Sequence, residues 1–189
     1  TDAQLKLLQG RRREDCANQI LSWLSGNYNV QEILETHKPI SRKFIKEAKA
    51  IKGAQQLVKW CVNDKLPIAL VTSSSESSVA FKTAPHPWIK MFSMRIYGDN
   101  PDLFGGKPEP YPYLLAAEKM NLDAKDCWVI EDSSSGTKSG IEAGCKVWVL
   151  QTNNSKTDNI VKLKNEFQYK NPNSIKELSS LLKILQSLK

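Results

Sequence analysis

The sequence predicts an α/β fold: a doubly wound parallel sheet with helices on both faces, preceded by a partial helical cap. Three observations carry that expectation. Short apolar runs such as Pro67-Ile68-Ala69-Leu70-Val71 and Trp128-Val129-Ile130 read as strands buried on both faces, the mark of a parallel sheet. Stretches of helical periodicity separate those runs, and alternating β and α elements imply parallel strands joined by crossover helices. The first fifty residues, by contrast, show helical spacing alone. The division follows: a partial cap over residues 1–52 and an α/β core over residues 53–189.

In the first part, Ala17, Ile20, Leu21 and Leu24 repeat at helical spacing. Phe44, Ala48 and Ile51 predict a second helix, with Arg42, Lys46 and Lys49 on its solvated side. His37, beside Lys38-Pro39, and His86, between Pro85 and Pro87, read as loop residues. From Gly53 onward a helix bearing Leu57, Val58, Trp60 and Cys61 leads into the strand over residues 67–71. A second strand is expected around Met94–Tyr97, then a helix after Pro112 with Leu114, Leu115 and Ala117. Strands over Cys127–Ile130 and Lys146–Leu150 flank a helix running from Ser134 to Ala143. A last strand is placed near Phe167–Tyr169. Ser174-Ile175-Lys176-Glu177 reads as a capping box opening a helix with Ile175, Leu178, Leu181, Leu182 and Leu185 inward.

Composition narrows the class. With 189 residues, 40% hydrophobic and 25% charged, the chain has the make-up of a globular protein with one good core. No apolar run is long enough to span a bilayer, and the N-terminus lacks the apolar centre of a signal peptide. The net charge of +7 arises from 27 Lys and Arg against 20 Asp and Glu. Those bases are scattered, Arg11-Arg12-Arg13 excepted, and no basic-aromatic module accompanies them. A solvated surface is expected, not a nucleic-acid interface. Cys16, Cys61, Cys127 and Cys145 form no CxxC pair, so free thiols in a reducing cytoplasm are expected. The chain starts at Thr1, which reads as a fragment or a processed sequence.

Three segments, two strand ends and a loop, carry chemistry. Thr72-Ser73-Ser74-Ser75 follows an apolar strand, where hydroxyls and free N–H groups either cradle phosphate oxygens or cap the next helix. Phe104-Gly105-Gly106-Lys107-Pro108-Glu109-Pro110 holds Lys107 on a stiffened loop, as a phosphoryl-neutralising ammonium or as a surface lysine. Glu131-Asp132 ends the strand that precedes Ser133-Ser134-Ser135-Gly136. Magnesium needs as little as one or two carboxylates plus substrate phosphate, so Asp132 would ligate directly and Glu131 through a water. Alternatively the pair simply caps a helix N-terminus.

Together, in this order on successive β-α units, these segments resemble the haloacid-dehalogenase-like hydrolase superfamily, in particular its β-phosphoglucomutase-like phosphatase branch. Thr72 matches the second motif, Lys107 in Gly-Lys-Pro-x-Pro the third, and Glu131-Asp132 the fourth. Gly136, Gly140, Ala143 and Gly144 match the glycine pattern of the helix that follows. The resemblance implies a Rossmann-like core and a magnesium-dependent phosphatase or phosphomutase working on a small phosphorylated metabolite through an aspartyl-phosphate. It gives Thr72 and Lys107 catalytic roles, assigns Thr72, Ser73, Ser74, Lys107 and Arg13 to the substrate and its phosphate, and Glu131 and Asp132 to the metal. Arg13, in Gly10-Arg11-Arg12-Arg13-Glu14-Asp15, matches the cap arginine that faces substrate.

Two departures stand out. The first motif, Asp-x-Asp, holds the nucleophile and the general acid/base. The aspartates here lie at 2, 15, 64, 99, 102, 123, 126, 132 and 158, and no two are one residue apart. Tyr111 stands where relatives carry Asp. A core without its first-motif strand is left with two unpartnered strand edges and a slot, to be closed, filled by another strand, or filled by a cleaved N-terminal piece. The expectation is an enzyme whose nucleophile lies outside these 189 residues, inactive in this form. The alternative is a non-catalytic relative that binds a partner. A receiver-like phosphoacceptor fits poorly, because there the acidic pair precedes the lysine.

Overall fold

The computed structural model describes residues 1–45, 48–151 and 172–188. Its strands are all parallel and fall into two sheets. In one, β1 (Ala69–Val71) pairs with β2 (Met94–Ile96) in the register Ala69↔Met94 to Val71↔Ile96. In the other, β3 (Trp128–Glu131) pairs with β4 (Lys146–Leu150), and β4 pairs with β5 (Asn173–Ile175). The helices are α1 (Asp2–Leu8), α2 (Arg13–Leu21), α3 (Val30–Ile45), α4 (Ala54–Asn63), α5 (Glu76–Thr83), α6 (Tyr111–Lys119), α7 (Ser134–Glu142) and α8 (Leu178–Ser187).

Alternation along β4 explains why helices cover both faces of the three-stranded sheet. Trp148 and Leu150 point to one face, where Leu57 and Cys61 of α4 meet Leu178, Leu181 and Leu182 of α8. Val147 and Val149 point to the other, beside Val129, Tyr113 of α6 and Ile141 of α7. Each fully buried side chain of this size contributes about 1.5–3 kcal/mol. The parallel, doubly wound α/β architecture is therefore the one expected.

Three local expectations are corrected. The helix expected around Phe44, Ala48 and Ile51 lies further back: α3 ends at Ile45, and Ala48 and Ile51 are in non-helical chain. Lys49 is likewise outside any helix, whereas Arg42 is in α3, and Lys46 lies outside the described residues. His37 is helical, because α3 runs straight through Pro39. That proline removes one N–H donor, and the surrounding residues 35–40 are exposed, so the stretch that loses the bond is open to solvent. Ser174 caps nothing: residues 173–175 form β5, and Glu177 is the N-cap of α8. Pairing with β4 and burial of Ile175 outweigh a local cap. The strand expected near Phe167–Tyr169 lies outside the described residues. Among the described residues, no helix is long and apolar enough to cross a membrane.

Candidate functional site

The C-terminal ends of β1 and β3 converge on one buried ammonium. Lys107, 5% exposed, donates from Nζ to the carbonyl of Val71 at 3.2 Å and forms an ion pair with Glu131. Its Nζ also lies 4.9 Å from the centroid of the Tyr113 ring. The loop that presents it begins at Gly105-Gly106 and continues through a cis Lys107–Pro108 bond. A buried charge needs a partner and further hydrogen bonds, and Glu131 supplies the partner.

Glu131 is saturated in turn. It accepts from Lys107, from the Tyr113 hydroxyl, from Ser133 Oγ at 3.1 Å and from the Asp132 N–H at 3.3 Å. Burial first, and the Glu131 charge second, push the Tyr113 phenol well above its usual range, so Tyr113 is a fixed donor. Gly136 makes room for this knot, because a Cβ there would lie 2.1–2.2 Å from the Glu131 carboxylate. Ser133 is the N-cap of α7, its side chain accepting from the Gly136 N–H at 3.1 Å.

Asp132, one residue on, is exposed. Partial desolvation, then the negative charge of Glu131, raise its pKa. Of the two acids it alone presents a carboxylate outward. Among the described residues there is no group of three or more His, Cys, Asp or Glu side chains arranged to hold a metal. The donor set fits a magnesium ion held by one carboxylate, with its other oxygens drawn from substrate, water or a further acid.

The Thr72 loop completes the rim. Thr72 Oγ1 accepts from the Ser74 N–H at 3.1 Å, a turn that leaves the loop's backbone curled before α5. Ser73 Oγ donates to the carbonyl of Gly10 at 2.7 Å, and Ser135 Oγ donates to that of Gln9 at 2.7 Å. The segment ahead of α2 is thus tied to both strand-end loops. Ser74 Oγ accepts from Lys82 Nζ at 2.9 Å. Burial, then the nearby Arg13 charge, lower the Lys82 pKa.

The predicted residues therefore divide. Lys107, Glu131 and Asp132 share one end of the core with Thr72, which follows the Val71 carbonyl bound by Lys107. Ser73 and Ser74 stand on the same rim. Arg13 bonds Ser41 Oγ at 3.4 Å on α3. Arg12 instead crosses the lysine loop, where a Cβ on Gly106 would lie 2.5 Å from its Nε, and is ion-paired to Asp15 at 2.9 Å. Tyr113, Lys82 and Arg12 were not among the expected site residues. Tyr113 had a signal, since it falls on the inward side of a helix opening directly after the lysine loop.

This arrangement, an α/β core with acid, lysine and hydroxyl segments at its strand ends, defines a class before it defines a family. A family model for the haloacid dehalogenase-like hydrolases matches residues 1–150, and the chain belongs to that family. It is 33% identical over 119 residues to the bifunctional riboflavin kinase/FMN phosphatase of Arabidopsis thaliana, covering 62% of this chain and 31% of that protein. It is 34% identical over 98 residues to hexitol phosphatase A of Escherichia coli, covering 52% and 44%. The chain thus spans less than half the length of these two relatives. Its fold is that of a hydrolase from Pseudomonas syringae (TM-score 0.79, 16% identity, 99% of this chain and 83% of that one). It is also that of a β-phosphoglucomutase from Clostridium difficile (TM-score 0.69, 17% identity, 89% and 83%).

Proposed function

We propose that this chain carries the phosphate- and metal-binding part of a phosphatase or phosphomutase acting on a small phosphorylated metabolite. The observation that carries the reading is Lys107, buried at the meeting point of β1 and β3, with the exposed Asp132 one residue beyond its own partner Glu131. The similarity to hexitol phosphatase A and to the bifunctional riboflavin kinase/FMN phosphatase supports that substrate class.

In this reading the substrate phosphoryl group sits against the Thr72–Ser74 loop, whose hydroxyls and N–H groups donate to its oxygens. Lys107 offsets phosphoryl charge from below, in a site where low solvent access strengthens the interaction. Glu131 and Tyr113 position that ammonium and do not touch substrate. Asp132 would hold magnesium, which when bound would offset charge on the transferring oxygens. The attacking carboxylate belongs to a segment outside these 189 residues, and its aspartyl-phosphate would then be resolved by water or a second hydroxyl. Residues 1–52 act as a partial cap, excluding water through the ties of Gln9 and Gly10 to the loops. The described cysteines are free thiols, which suits a reducing cytoplasm.

The test is a panel of phosphorylated sugars, sugar acids and nucleotides, with and without magnesium. It is run on the 189-residue chain and on the product of its coding region extended upstream. Turnover by the longer product only, and only with magnesium, is the expected result. Magnesium-dependent turnover by a mass-verified 189-residue chain overturns the assignment of the nucleophile. An extended product without Asp-x-Asp, inactive on the whole panel, favours a binding protein instead.

A further inference from the structure

Cys127 and Cys145 stand side by side at the start of the ladder between β3 and β4. The register runs from Trp128↔Lys146 to Glu131↔Val149, and one step back along it sets Cys127 opposite Cys145. The Lys146 N–H donates to the Cys127 carbonyl at 3.0 Å, so the ladder reaches that step, and the Cys127 backbone is extended. Side chains alternate along a strand, which places both cysteines on the face of Val129 and Val147, themselves a register pair. Cys145 packs against the apolar cluster on that face, and both cysteines line one cavity of about 710 Å³.

Neighbouring strands lie about 4.7–4.9 Å apart, inside the range of roughly 4.4–6.8 Å between Cα atoms that a disulfide spans. Each of the two cysteines is a free thiol and partly exposed. Cys127 Sγ donates to the Asp123 carbonyl at 3.4 Å, a weak bond that rotation of the side chain gives up. The sulfurs also feel each other: burial first, and the Cys127 charge second, push the Cys145 thiol up to about 11. The other two cysteines are placed differently. Cys16 is on α2, its Sγ donating to the Leu8 carbonyl at 3.2 Å. Cys61 is on α4, in the cluster against the opposite face of β4.

We propose that Cys127 and Cys145 form a reversible disulfide by exchange with a low-molecular-weight disulfide. Cys127 leads, because Cys145 is the harder of the two to ionise. Its proton goes to solvent, its thiolate attacks one sulfur of the reagent, and that S–S bond breaks to release a thiolate. Cys145 then loses its proton to solvent and attacks Cys127 Sγ, and the second half of the reagent leaves as a thiolate. The two released thiolates take up the two protons. The cysteine pair loses two electrons and the reagent gains them. The new bond closes a ring that holds Glu131, Asp132 and all of α7. The pairing rests on strand register and stands independently of the phosphatase reading.

In the test, the folded 189-residue chain is equilibrated with oxidised and reduced glutathione at mildly alkaline pH. It is then quenched with acid, alkylated, and its peptides are analysed by mass spectrometry. The expected product has lost two hydrogens and joins the peptides of Cys127 and Cys145, with no glutathione on either. Cys145→Ser should stop at a mixed disulfide on Cys127, a gain of one glutathione there. The double variant Cys16→Ser with Cys61→Ser should leave closure unchanged. The equilibrium constant for closure should be at least about tenfold larger in the native chain than in urea, about 1.4 kcal/mol, because the ladder holds the partners together. An equal or smaller constant in the native chain overturns the proposal, and so does a linkage through Cys16 or Cys61. Glutathione that persists on Cys127 of the unsubstituted chain, with Cys145 left reduced, overturns it as well. Closure is read without any phosphorylated substrate, so its failure leaves the phosphatase reading standing. Closure in a chain whose extended product shows no turnover supports this proposal and counts against the phosphatase reading alone.

Discussion

Strand β4 of the sheet β3–β4–β5 and strand β1 of the sheet β1–β2 are both apolar, yet the two are held in different ways. In β4 the last four of five residues are buried, with a hydrophobic cluster on each face. In β1 the equally apolar Ala69, Leu70 and Val71 are all partly exposed. The first sheet is stabilised by close packing. The second is joined to it through polar links at one end, of which Lys107 is the chief: it binds the Val71 carbonyl of one sheet and Glu131 of the other. Apolar sequence alone therefore does not make a core, because a strand's burial depends on what stands beside it.

That contrast fails most visibly if the link is cut. Glu131→Ala removes the partner of a buried ammonium and leaves the Tyr113 hydroxyl without its acceptor. Stranding one half of a buried ion pair costs about 3–5 kcal/mol. Urea unfolding should therefore show a large drop in midpoint, with amides of β1 and β2 exchanging first. The double variant Lys107→Met with Glu131→Gln should recover much of the loss, since no unpaired charge remains. A small effect of Glu131→Ala would mean that the two sheets do not depend on Lys107.

Two truncations measure the difference in packing directly. Leu181 is 1% exposed beneath β4, and Leu181→Ala should cost about 2–5 kcal/mol through lost burial and a residual cavity. Leu70→Ala in β1 trims a partly exposed side chain at the rim of a cavity that already exists. It should cost about 1 kcal/mol or less. Equal losses in the two variants, measured by chemical denaturation, would show that β1 is packed as tightly as β4.

The same contrast explains what the sequence made legible. Strands β1, β3 and β4 stand out as apolar runs, β2 as the short Met94-Arg95-Ile96-Tyr97 segment, and Thr72, Lys107 and Glu131-Asp132 as polar residues that follow or end strands. β5 does not, because Asn173-Ser174-Ile175 has one apolar residue and gains its strand character from pairing with β4. α3 was obscured by Pro39, tolerated only because that stretch is exposed. The site's acid pair shows a different limit. The sequence treats Glu131 and Asp132 as neighbours of one kind, but strand alternation turns one inward to Lys107 and Tyr113 and the other outward. Tyr113 and Arg12 reach the site through a helix and a loop distant in sequence, contacts that no local pattern encodes.

The smallest expected effect tests that division of the two acids. The Asp132 pKa is raised by desolvation and by Glu131, so folding favours its protonated form. Between its unfolded and folded pKa values the native chain binds the extra proton, and stability falls as pH rises through that window. Above the folded pKa the ionised carboxylate is a constant penalty, small because Asp132 is exposed and screened. Asp132→Asn should accordingly raise the melting temperature slightly at neutral pH, by about 1–2 °C, and the gain should vanish near pH 3. A melting temperature lowered by Asp132→Asn at neutral pH would place Asp132 among the residues that hold the fold together, and would erase the distinction between an inward acid that supports the site and an outward acid left free for a ligand.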